Sequence, residues 1–332
     1  MGSALYAGLL DQAAADAAER GAVFTVMESH AFDPPGAAIA LKLMGAVHRL
    51  VLERELPELA LHYPSVGGAA QGSAWPPFRQ ALIDRRAEIT ALLDRTVQTN
   101  EVGRSAALLG GFLEIARRMG LPLALLEIGA SAGLNLRWDS YRYEANDEAW
   151  GPRDSPVLMR TFETAPDLTI PAAVVRRAGC DPDPVDPATD EGRLTLSSYV
   201  WADMTERWER LKGALQVATR VPASVERAPA GEWLPANLDL EPGVATVVYH
   251  SVVLQYMPEN ERSAVLRLIA EAGESATAAA PFAWLRMEPP EGPSHDRRLA
   301  DVRLTVWPEG EDRLVGRAGY HGAPIRWLGY DG

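Results

Sequence analysis

Hydrophobic residues in the first 120 positions recur at three- and four-residue steps, which is the spacing of helices that bury one face. One such apolar stripe contains Ile39, Leu43, Val47 and Leu50. The pattern predicts helices over residues 4–20, 37–55, 78–98 and 103–119, the last of them ending at Gly120. We therefore expect an all-α region over about residues 1–118.

From residue 121 onward, the apolar positions form short continuous runs separated by polar segments. Such runs are typical of strands that are buried on both faces of a parallel sheet. Strands are expected at residues 121–128, 172–175, 244–249 and 282–287. Helical stretches at residues 203–218 and 259–272 lie between these runs, and the alternation of strand and helix indicates an α/β domain.

The last part of the chain predicts an antiparallel edge. Runs at residues 302–307 and 314–320 flank Pro308-Glu-Gly310, which indicates two antiparallel strands joined by a turn. Residues 138–170 are polar and rich in Tyr, Trp, Asp and Pro, so we interpret them as an insertion of loops or a short hairpin. The predicted fold over about residues 119–332 is a Rossmann-like, doubly wound, mostly parallel sheet with an antiparallel edge strand.

The charge of the chain limits the classes of partner. The 332 residues include 45 acidic and 32 basic side chains, and a formal charge of -13 repels polyphosphate backbones, so we expect no nucleic-acid partner. The apolar runs are shorter than the ~20 residues that a bilayer helix needs, and no secretory signal follows Met1. We therefore expect a cytoplasmic protein without a membrane partner.

Cysteine and histidine usage argues against a metal site. Cys180 is the only cysteine, which excludes an intrachain disulfide and any centre with several cysteine ligands. We expect its thiol to be structural. The histidines show no metal-ligand spacing.

The most informative segment is LALLEIGASAGLNL, residues 123–136. A buried strand is expected to end at Glu127, a turn with two glycines follows, and a helix is expected to start near Leu134. Glycines allow a ligand to approach the backbone closely, and a helix N-terminus offers N–H groups to a polar ligand. In an open parallel sheet, ligands bind at this end of the strands.

The spacing in this turn is not the dinucleotide fingerprint G-x-G-x-x-G. It resembles the first motif of class I S-adenosylmethionine-dependent methyltransferases, E-x-G-x-G-x-G, with Ser131 in place of the middle glycine. The resemblance implies that the turn lines the methionine part of the cofactor and that Glu127 acts on its ammonium group, directly or through water. The expected cofactor residues in this segment are Glu127, Gly129, Ala130, Ser131, Gly133 and Asn135. The alternative is a glycine turn that only packs a helix against a strand.

A second resemblance covers nearly the whole chain. Four segments, HYPSVGG at 62–68, QTNEVGR at 98–104, EIGASAGLN at 127–135 and HSVVLQY at 250–256, resemble a bacterial family catalogued as domain of unknown function 2332. The resemblance implies a methyltransferase-like domain with an attached helical region. It supplies no activity, which must be argued from the residues.

Two further acids are candidates for the adenosine part of the cofactor. Class I methyltransferases place an acid at the end of the second strand, where it bonds the ribose hydroxyls. Asp181 is the candidate and Asp183 the alternative, and both could instead fix the proline-rich loop of residues 181–190. Glu232 is the candidate near the adenine, while the neighbouring Trp233 is either a stacking residue or a core residue.

The end of the fourth strand carries the candidate catalytic residue. Histidine is a common general base in enzymes, so His250 is the expected proton acceptor, whereas the alternative is a histidine bonded to nearby backbone. Ser251, Gln255 and Tyr256 are expected to shape the acceptor pocket or to cap the following helix.

The helix that precedes the first strand is expected to bring polar residues to the same place. Only Gly120 and Leu121 separate helix and strand, so the helix should run back along the sheet. Its N-terminal residues Asn100, Glu101 and Arg104 would then lie near the glycine turn; the alternative is a surface pair of Glu101 and Arg104. Tyr63 is a further candidate for this pocket.

The predicted function is transfer of a methyl group from S-adenosylmethionine to a small or medium-sized acceptor. This reaction needs alignment more than a nucleophile from the protein, so the acceptor stays open, as does the oligomeric state. One alternative is a nicotinamide-dependent oxidoreductase, which the glycine spacing disfavours. The other is a non-catalytic ligand-binding or regulatory protein that kept the fold.

Overall fold

The computed structural model of the chain describes residues 2–33, 38–291 and 297–330. Its helices are α1 (Ala4–Ala18), α2 (Ala22–Met27), α3 (Ile39–Leu52), α4 (Pro57–Ala60), α5 (Trp75–Asp84), α6 (Arg86–Leu93), α7 (Arg104–Met119), α8 (Asp190–Ser198), α9 (Thr205–Ala218), α10 (Ala230–Asn237) and α11 (Glu259–Ser275). Its strands are β1 (Leu123–Ile128), β2 (Arg142–Ala145), β3 (Glu148–Trp150), β4 (Leu158–Met159), β5 (Phe162–Thr164), β6 (Val174–Asp181), β7 (Ser224–Arg227), β8 (Ala245–Ser251), β9 (Phe282–Glu288), β10 (Leu299–Trp307), β11 (Glu311–Gly319) and β12 (Ile325–Trp327).

The chain divides into two compact units. The first comprises Met1–Thr99 and Ala188–Glu209, and the second comprises Asn100–Pro187 and Arg210–Gly332. This division differs from the boundary near residue 118 expected from the sequence. Helix α7 belongs to the second unit because its buried face packs against β9, β10 and β11.

The first unit is helical, as the apolar stripes predict. Helix α3 lies at its centre, with Leu43, Val47 and Leu50 buried in a common core. The single helix expected over residues 78–98 is instead two helices, α5 and α6, because Arg85 leaves the helical conformation with φ -113° and ψ 27°. Glu191 of α8 joins this unit through an ion pair of 2.5 Å with Arg49 of α3.

The second unit is built on a mixed sheet. Among the described residues its nine strands have the order β5-β12-β11-β10-β9-β8-β1-β6-β7. The strands from β9 to β7 are parallel, whereas β10 is antiparallel to β9 and to β11, and β11 is antiparallel to β12. At the edge, β12 pairs in parallel with the short strand β5. This agrees with the expected mostly parallel sheet that has antiparallel strands towards one edge.

The order of the parallel strands creates a switch point between β1 and β8. Counted along the chain, the five parallel strands lie in the order third, second, first, fourth, fifth, which is the arrangement of doubly wound sheets. Connections leave β1 and β8 in opposite directions, so a crevice forms beyond their carboxyl ends. All six residues of β1 and all seven of β8 are buried.

The insertion after β1 forms a second, smaller sheet. Strands β3, β2 and β4 pair there, with β2 antiparallel to β3 and parallel to β4. Aromatic residues attach this sheet to the rest of the second unit: Trp138, just before β2, stacks on Trp150 of β3 and on Phe112 of α7, with ring centroids 5.0 Å and 4.5 Å apart. In the part of the chain that the structure describes, no helix is both long and apolar enough to cross a bilayer.

Candidate functional site

The glycine turn lies at the switch point, directly after β1. Gly129, Ser131 and Gly133 have positive φ values of 67°, 53° and 65°. A Cβ atom on Gly129 would lie 2.7 Å from Cγ2 of Val253, the residue that follows β8 by two positions. Only glycine allows such a close approach in this backbone conformation. The turn therefore packs tightly between the ends of the two central strands.

The backbone N–H groups of the turn are bonded within the protein. The Asn100 side-chain oxygen accepts hydrogen bonds from Ala132 at 3.2 Å and from Leu134 at 2.9 Å. The Asp181 carboxylate accepts one from Ser131 at 2.9 Å. The other two N–H groups bond backbone carbonyls: Ala130 to Cys180 at 3.0 Å, and Gly133 to Ala130 at 2.7 Å. Each N–H from residue 130 to residue 134 thus already has an acceptor.

A buried carboxyl lies beneath the turn. The side chain of Glu127 in β1 accepts a hydrogen bond from the Tyr249 hydroxyl at 3.1 Å, and the residue is only 2% exposed. Burial raises the pKa of Glu127 to about 8, although the bond from Tyr249 and the charge of Arg137 act in the opposite direction. At neutral pH and without a bound cation, this carboxyl is therefore mostly protonated.

Arg137 is a buried residue of this site that the sequence reasoning missed. Its guanidinium donates hydrogen bonds to the carbonyl oxygens of Gly133 at 2.6 Å and Val221 at 2.7 Å. The Tyr141 hydroxyl donates a hydrogen bond to the carbonyl oxygen of Leu134 at 2.5 Å. An arginine inside the apolar segment LNLRW was the available signal.

The α-helix expected to start near Leu134 does not form. A kinked 3-10 segment, Asn135–Ser140, follows the turn, and Arg137 within it leaves the helical conformation with φ -106° and ψ 18°. The Leu134 carbonyl accepts the N–H of Arg137 at 3.3 Å, a bond between residues three apart, as in a 3-10 helix. The turn therefore lacks the α-helix N-terminus that the sequence predicted.

The residues before α7 lie beside the turn, where the sequence placed them. Besides the bonds from Asn100, Asn135 accepts from Ser105 at 2.7 Å and donates to the carbonyl of Glu101 at 3.3 Å. The Glu101 carboxylate accepts from the N–H of Gly103 at 3.2 Å. Asn135 is buried, and these bonds occupy both ends of its amide, so it supports the turn from within the protein.

Arg104 forms hydrogen bonds at the end of β8. Its guanidinium donates to the carbonyl of Ser251 at 2.8 Å and to that of Tyr320 at 3.0 Å. Gln255 and Tyr256 follow in a short 3-10 helix, Leu254–Tyr256; both are exposed, Tyr256 by 58%. Of the residues expected to line the acceptor pocket, Ser251 is therefore buried at the end of β8, whereas Gln255 and Tyr256 are on the surface.

Asp181 is the acid that meets the turn. It is the last residue of β6, and its second oxygen accepts from the N–H of Asp183 at 2.9 Å. The Asp183 carboxylate accepts a hydrogen bond from Arg227 at 2.6 Å. Of the two acids proposed for the ribose, Asp181 is bonded to the glycine turn through the N–H of Ser131.

Glu232 is a surface residue, and Tyr63 is a core residue of the first unit. Glu232 is exposed on α10, where the adjacent Trp233 is buried in the core and donates to Glu226 at 3.0 Å, as a core tryptophan does. Tyr63 is buried in the core of the first unit. Cys180 is buried as well, and burial raises the pKa of its thiol to about 12, which fits a structural role.

His250 is fully buried, and both of its ring nitrogens have hydrogen-bond partners. Its Nδ1 lies 2.7 Å from the Glu288 carboxylate, and its Nε2 accepts the indole N–H of Trp284 at 3.1 Å. Because Nε2 is an acceptor, Nδ1 carries the proton and donates to Glu288. Both nitrogens are engaged, so this arrangement gives His250 a positioning role and leaves it no free nitrogen for the expected proton transfer.

The His250–Glu288 pair holds the segment that covers Gly129. The same Glu288 oxygen accepts from the N–H groups of Val253 at 2.9 Å and Leu254 at 3.4 Å. Burial by itself would raise the pKa of Glu288, but the bonds from His250 and the backbone lower it. Val252, just before, has φ 57°, a strained conformation for a β-branched residue. Such strain persists only where neighbouring bonds impose it.

A comparison with protein families identifies the chain. The model of a family described as "Uncharacterized protein conserved in bacteria (DUF2332)" matches residues 1–327. The chain belongs to the DUF2332 family. No curated protein matches it. Within the second unit of this DUF2332 chain, the segments 127–135 and 250–256 meet at the switch point, together with residues 100–104.

Substitution of His250 by Asn is expected to destabilise this DUF2332 protein by about 2–4 kcal/mol, because it removes buried hydrogen bonds and leaves a cavity. The half-buried His62 provides the control, since its substitution by Asn removes the same ring from a less enclosed place. Thermal or urea denaturation of the two variants measures the difference. An unchanged melting temperature for His250→Asn would instead favour the role in the crevice that the sequence suggested.

Proposed function

We propose that this DUF2332 chain is a methyltransferase that uses S-adenosylmethionine and acts on a small or medium-sized acceptor. The observation that carries the proposal is the glycine turn at the switch point. Two acids, Glu127 and Asp181, flank this turn, and its N–H groups are already bonded within the protein. A site of this kind suits a ligand with cationic and hydroxyl groups better than a phosphate.

The residues present fit the cofactor. The methionine part of S-adenosylmethionine carries an ammonium and a sulfonium, and a cation beside Glu127 favours the ionised form of its raised-pKa carboxyl. Each oxygen of Asp181 accepts one backbone bond and keeps a further lone pair for a ribose hydroxyl.

The nicotinamide alternative fits less well. A dinucleotide site binds its pyrophosphate with free N–H groups at an α-helix N-terminus. Here a short 3-10 helix follows the turn, and the side chain of Asn100 occupies two of the N–H groups.

The chain's own part in the reaction is binding and orientation. When bound, S-adenosylmethionine supplies an electrophilic methyl group on its sulfonium sulfur. Asn100 and Asp181 fix the turn, while Arg104 and the His250–Glu288 pair fix the end of β8. Holding donor and acceptor in line supplies most of what such a displacement needs. Because the nitrogens of His250 are engaged, a ligand-binding protein without turnover stays the second candidate.

Calorimetric titration of the full chain tests the proposal. S-adenosylmethionine and its demethylated product are expected to bind, and nicotinamide dinucleotides are not. Asp181→Asn should weaken binding by about tenfold or more, since a charge-assisted bond to a ribose hydroxyl is lost. The matched control is Asp183→Asn, two residues away, which should stay within about twofold. Binding of a nicotinamide cofactor alone, or of none of these compounds, would refute the proposal.

A further inference from the structure

A second carboxylate lies at the same edge of the sheet as the glycine turn. Glu288 is the last residue of β9, which pairs in parallel with β8, and β8 pairs in parallel with β1. The carboxyl ends of these three strands therefore lie at one edge. Neighbouring strands are about 4.8 Å apart, so Glu288 is about 10 Å from the strand that carries the turn. A cofactor at the turn and a second molecule at the end of β9 would be neighbours.

One oxygen of the Glu288 carboxylate is bonded and the other is not. Oε1 accepts the three hydrogen bonds from His250, Val253 and Leu254. Oε2 is buried and has no hydrogen-bond partner among the described residues, although the side chain as a whole is 13% exposed and so lies just below the surface. Burial by itself would raise the pKa of Glu288, but the bonds to Oε1 lower it, so the carboxyl is ionised at neutral pH. A buried anionic oxygen without a donor is unfavourable, which indicates a place where a ligand supplies the bond.

A second acid increases the negative charge at this place. Asp301 of β10 lies directly opposite Glu288 in the antiparallel pair of β9 and β10, and its side chain is 11% exposed. Like charges directly opposite each other destabilise a sheet. Arg317 pairs with Asp301 at 3.1 Å, whereas the described partners of Glu288 are the neutral imidazole of His250 and backbone N–H groups. The end of β9 is therefore a place that favours a positive charge.

Two tyrosines lie near these acids. Tyr256 follows Leu254 by two residues and is 58% exposed. Tyr320 directly follows β11 and is half-buried. Burial raises the pKa of Tyr320, and the charges of Glu288 and Asp301 act in the same direction, as does Tyr256, so these groups lie near its hydroxyl. The faces of tyrosine rings attract cations.

On the basis of the methyltransferase function proposed above, we propose that the methyl acceptor is an amine whose nitrogen lies beside Oε2 of Glu288. The neutral amine donates an N–H to Oε2, and its lone pair forms a bond to the methyl carbon. The bond between that carbon and the sulfonium sulfur breaks, and its electron pair stays on sulfur. The positive charge thereby moves to the nitrogen, where the carboxylate stabilises it, and the methylated nitrogen then releases its surplus proton to water.

Other classes of methyl acceptor fit this place less well. A carboxylate would approach two ionised acids, Glu288 and Asp301. A hydroxyl must give up its proton to a base as it reacts, and a carboxylate with a lowered pKa is a weak base. An amine reacts through a lone pair that it already has, so it needs stabilisation of the developing charge more than a strong base.

Calorimetric titration of the full chain in two steps tests the inference. Binding of the demethylated product of S-adenosylmethionine tests the function on which the inference rests. The protein saturated with this product is then titrated at neutral pH with benzylamine, with benzyl alcohol and benzoate as neutral and anionic controls of similar size. Benzylamine is expected to bind at least about tenfold more tightly than either control. If the product binds but benzylamine has no such advantage, the inference is wrong and the proposed function stands; if the product does not bind, the proposed function itself fails.

Substitution of Glu288 by Gln gives a second readout. The Gln oxygen can still accept the bonds that Oε1 accepts, while a neutral NH₂ group replaces the anionic Oε2. The variant should lose at least about tenfold more affinity for benzylamine than for benzyl alcohol or for the demethylated product. The matched control is Glu291→Gln, an exposed acid three residues later in the chain, which should keep the preference for benzylamine. Equal losses for all three compounds in Glu288→Gln would show a merely structural role and overturn the inference.

Substitution of Tyr256 by Ala tests the same place without disturbing the bonds of Glu288. Because this side chain is on the surface, the variant should fold as the wild type does. Loss of the ring should weaken the binding of benzylamine by about threefold and that of benzyl alcohol less. An unchanged preference for benzylamine in Tyr256→Ala would contradict a cation beside this ring.

Discussion

Replacing Glu127 with Gln is expected to stabilise the unliganded protein by an amount that grows between about pH 5 and pH 8. Burial raises the pKa of Glu127 to about 8, whereas a glutamate in an unfolded chain has a pKa of about 4.3. Between these values the folded state holds more protons than the unfolded state. The free energy of unfolding therefore falls as the pH rises, by an amount on the order of a few kcal/mol at pH 8.

The neutral amide of Gln does not ionise, and its oxygen still accepts the bond from Tyr249. Urea denaturation at several pH values measures the difference in unfolding free energy between Glu127→Gln and the wild type. The control is Glu232→Gln, because Glu232 is exposed on α10. A difference that stays constant with pH would show that Glu127 is ionised in the folded state, against the argument from burial.

The same ionisation links ligand binding to pH. A bound cation favours the ionised carboxyl, so the affinity of the wild type for S-adenosylmethionine should rise by up to about tenfold per pH unit between about pH 6 and pH 7.5. In this range the ligand's own α-amino group, with a pKa near about 7.8, stays mostly protonated. Glu127→Gln should lose this dependence. The comparison separates the charge of Glu127 from its place in the fold.

The buried strands could be predicted because burial on both faces leaves a continuous apolar run in the sequence. The expected runs at residues 121–128 and 282–287 correspond closely to β1 and β9. Strand β6 was predicted only at its start, because Arg176 and Arg177 interrupt its apolar pattern. The structure pairs Arg177 with Asp139, which lies 38 residues earlier in the chain. Such a distant ion pair has no signature in the local sequence.

The same limit applies to the candidate site. The glycine turn and the position of Asn100 follow from local pattern and from the short connection after α7. The bonds of His250 do not, because Trp284 and Glu288 lie 34 and 38 residues further along the chain. The membership of residues 188–209 in the first unit likewise depends on distant contacts, such as the stacking of Trp201 on Tyr6.

Substitution of Gly129 by Ala is expected to destabilise the protein by about 2–4 kcal/mol and to abolish cofactor binding. Two separate effects add at this position. An L residue at φ 67° is strained, and the new Cβ would lie 2.7 Å from Cγ2 of Val253. Because Glu288 holds Val253 through its N–H, this neighbour does not move away easily. Thermal denaturation and calorimetric titration with S-adenosylmethionine measure the two losses.

Two further variants separate the strain from the clash. Gly120 has a similar φ of 62° with no atom within 4 Å of its would-be Cβ, so Gly120→Ala should lose only about 1–2 kcal/mol. The double variant Gly129→Ala/Val253→Ala removes the clash and should recover stability relative to Gly129→Ala, beyond the sum of the single changes. If the two substitutions are instead additive, Val253 does not press on the turn. The tight packing of β8's end against Gly129 would then not explain why this position requires glycine.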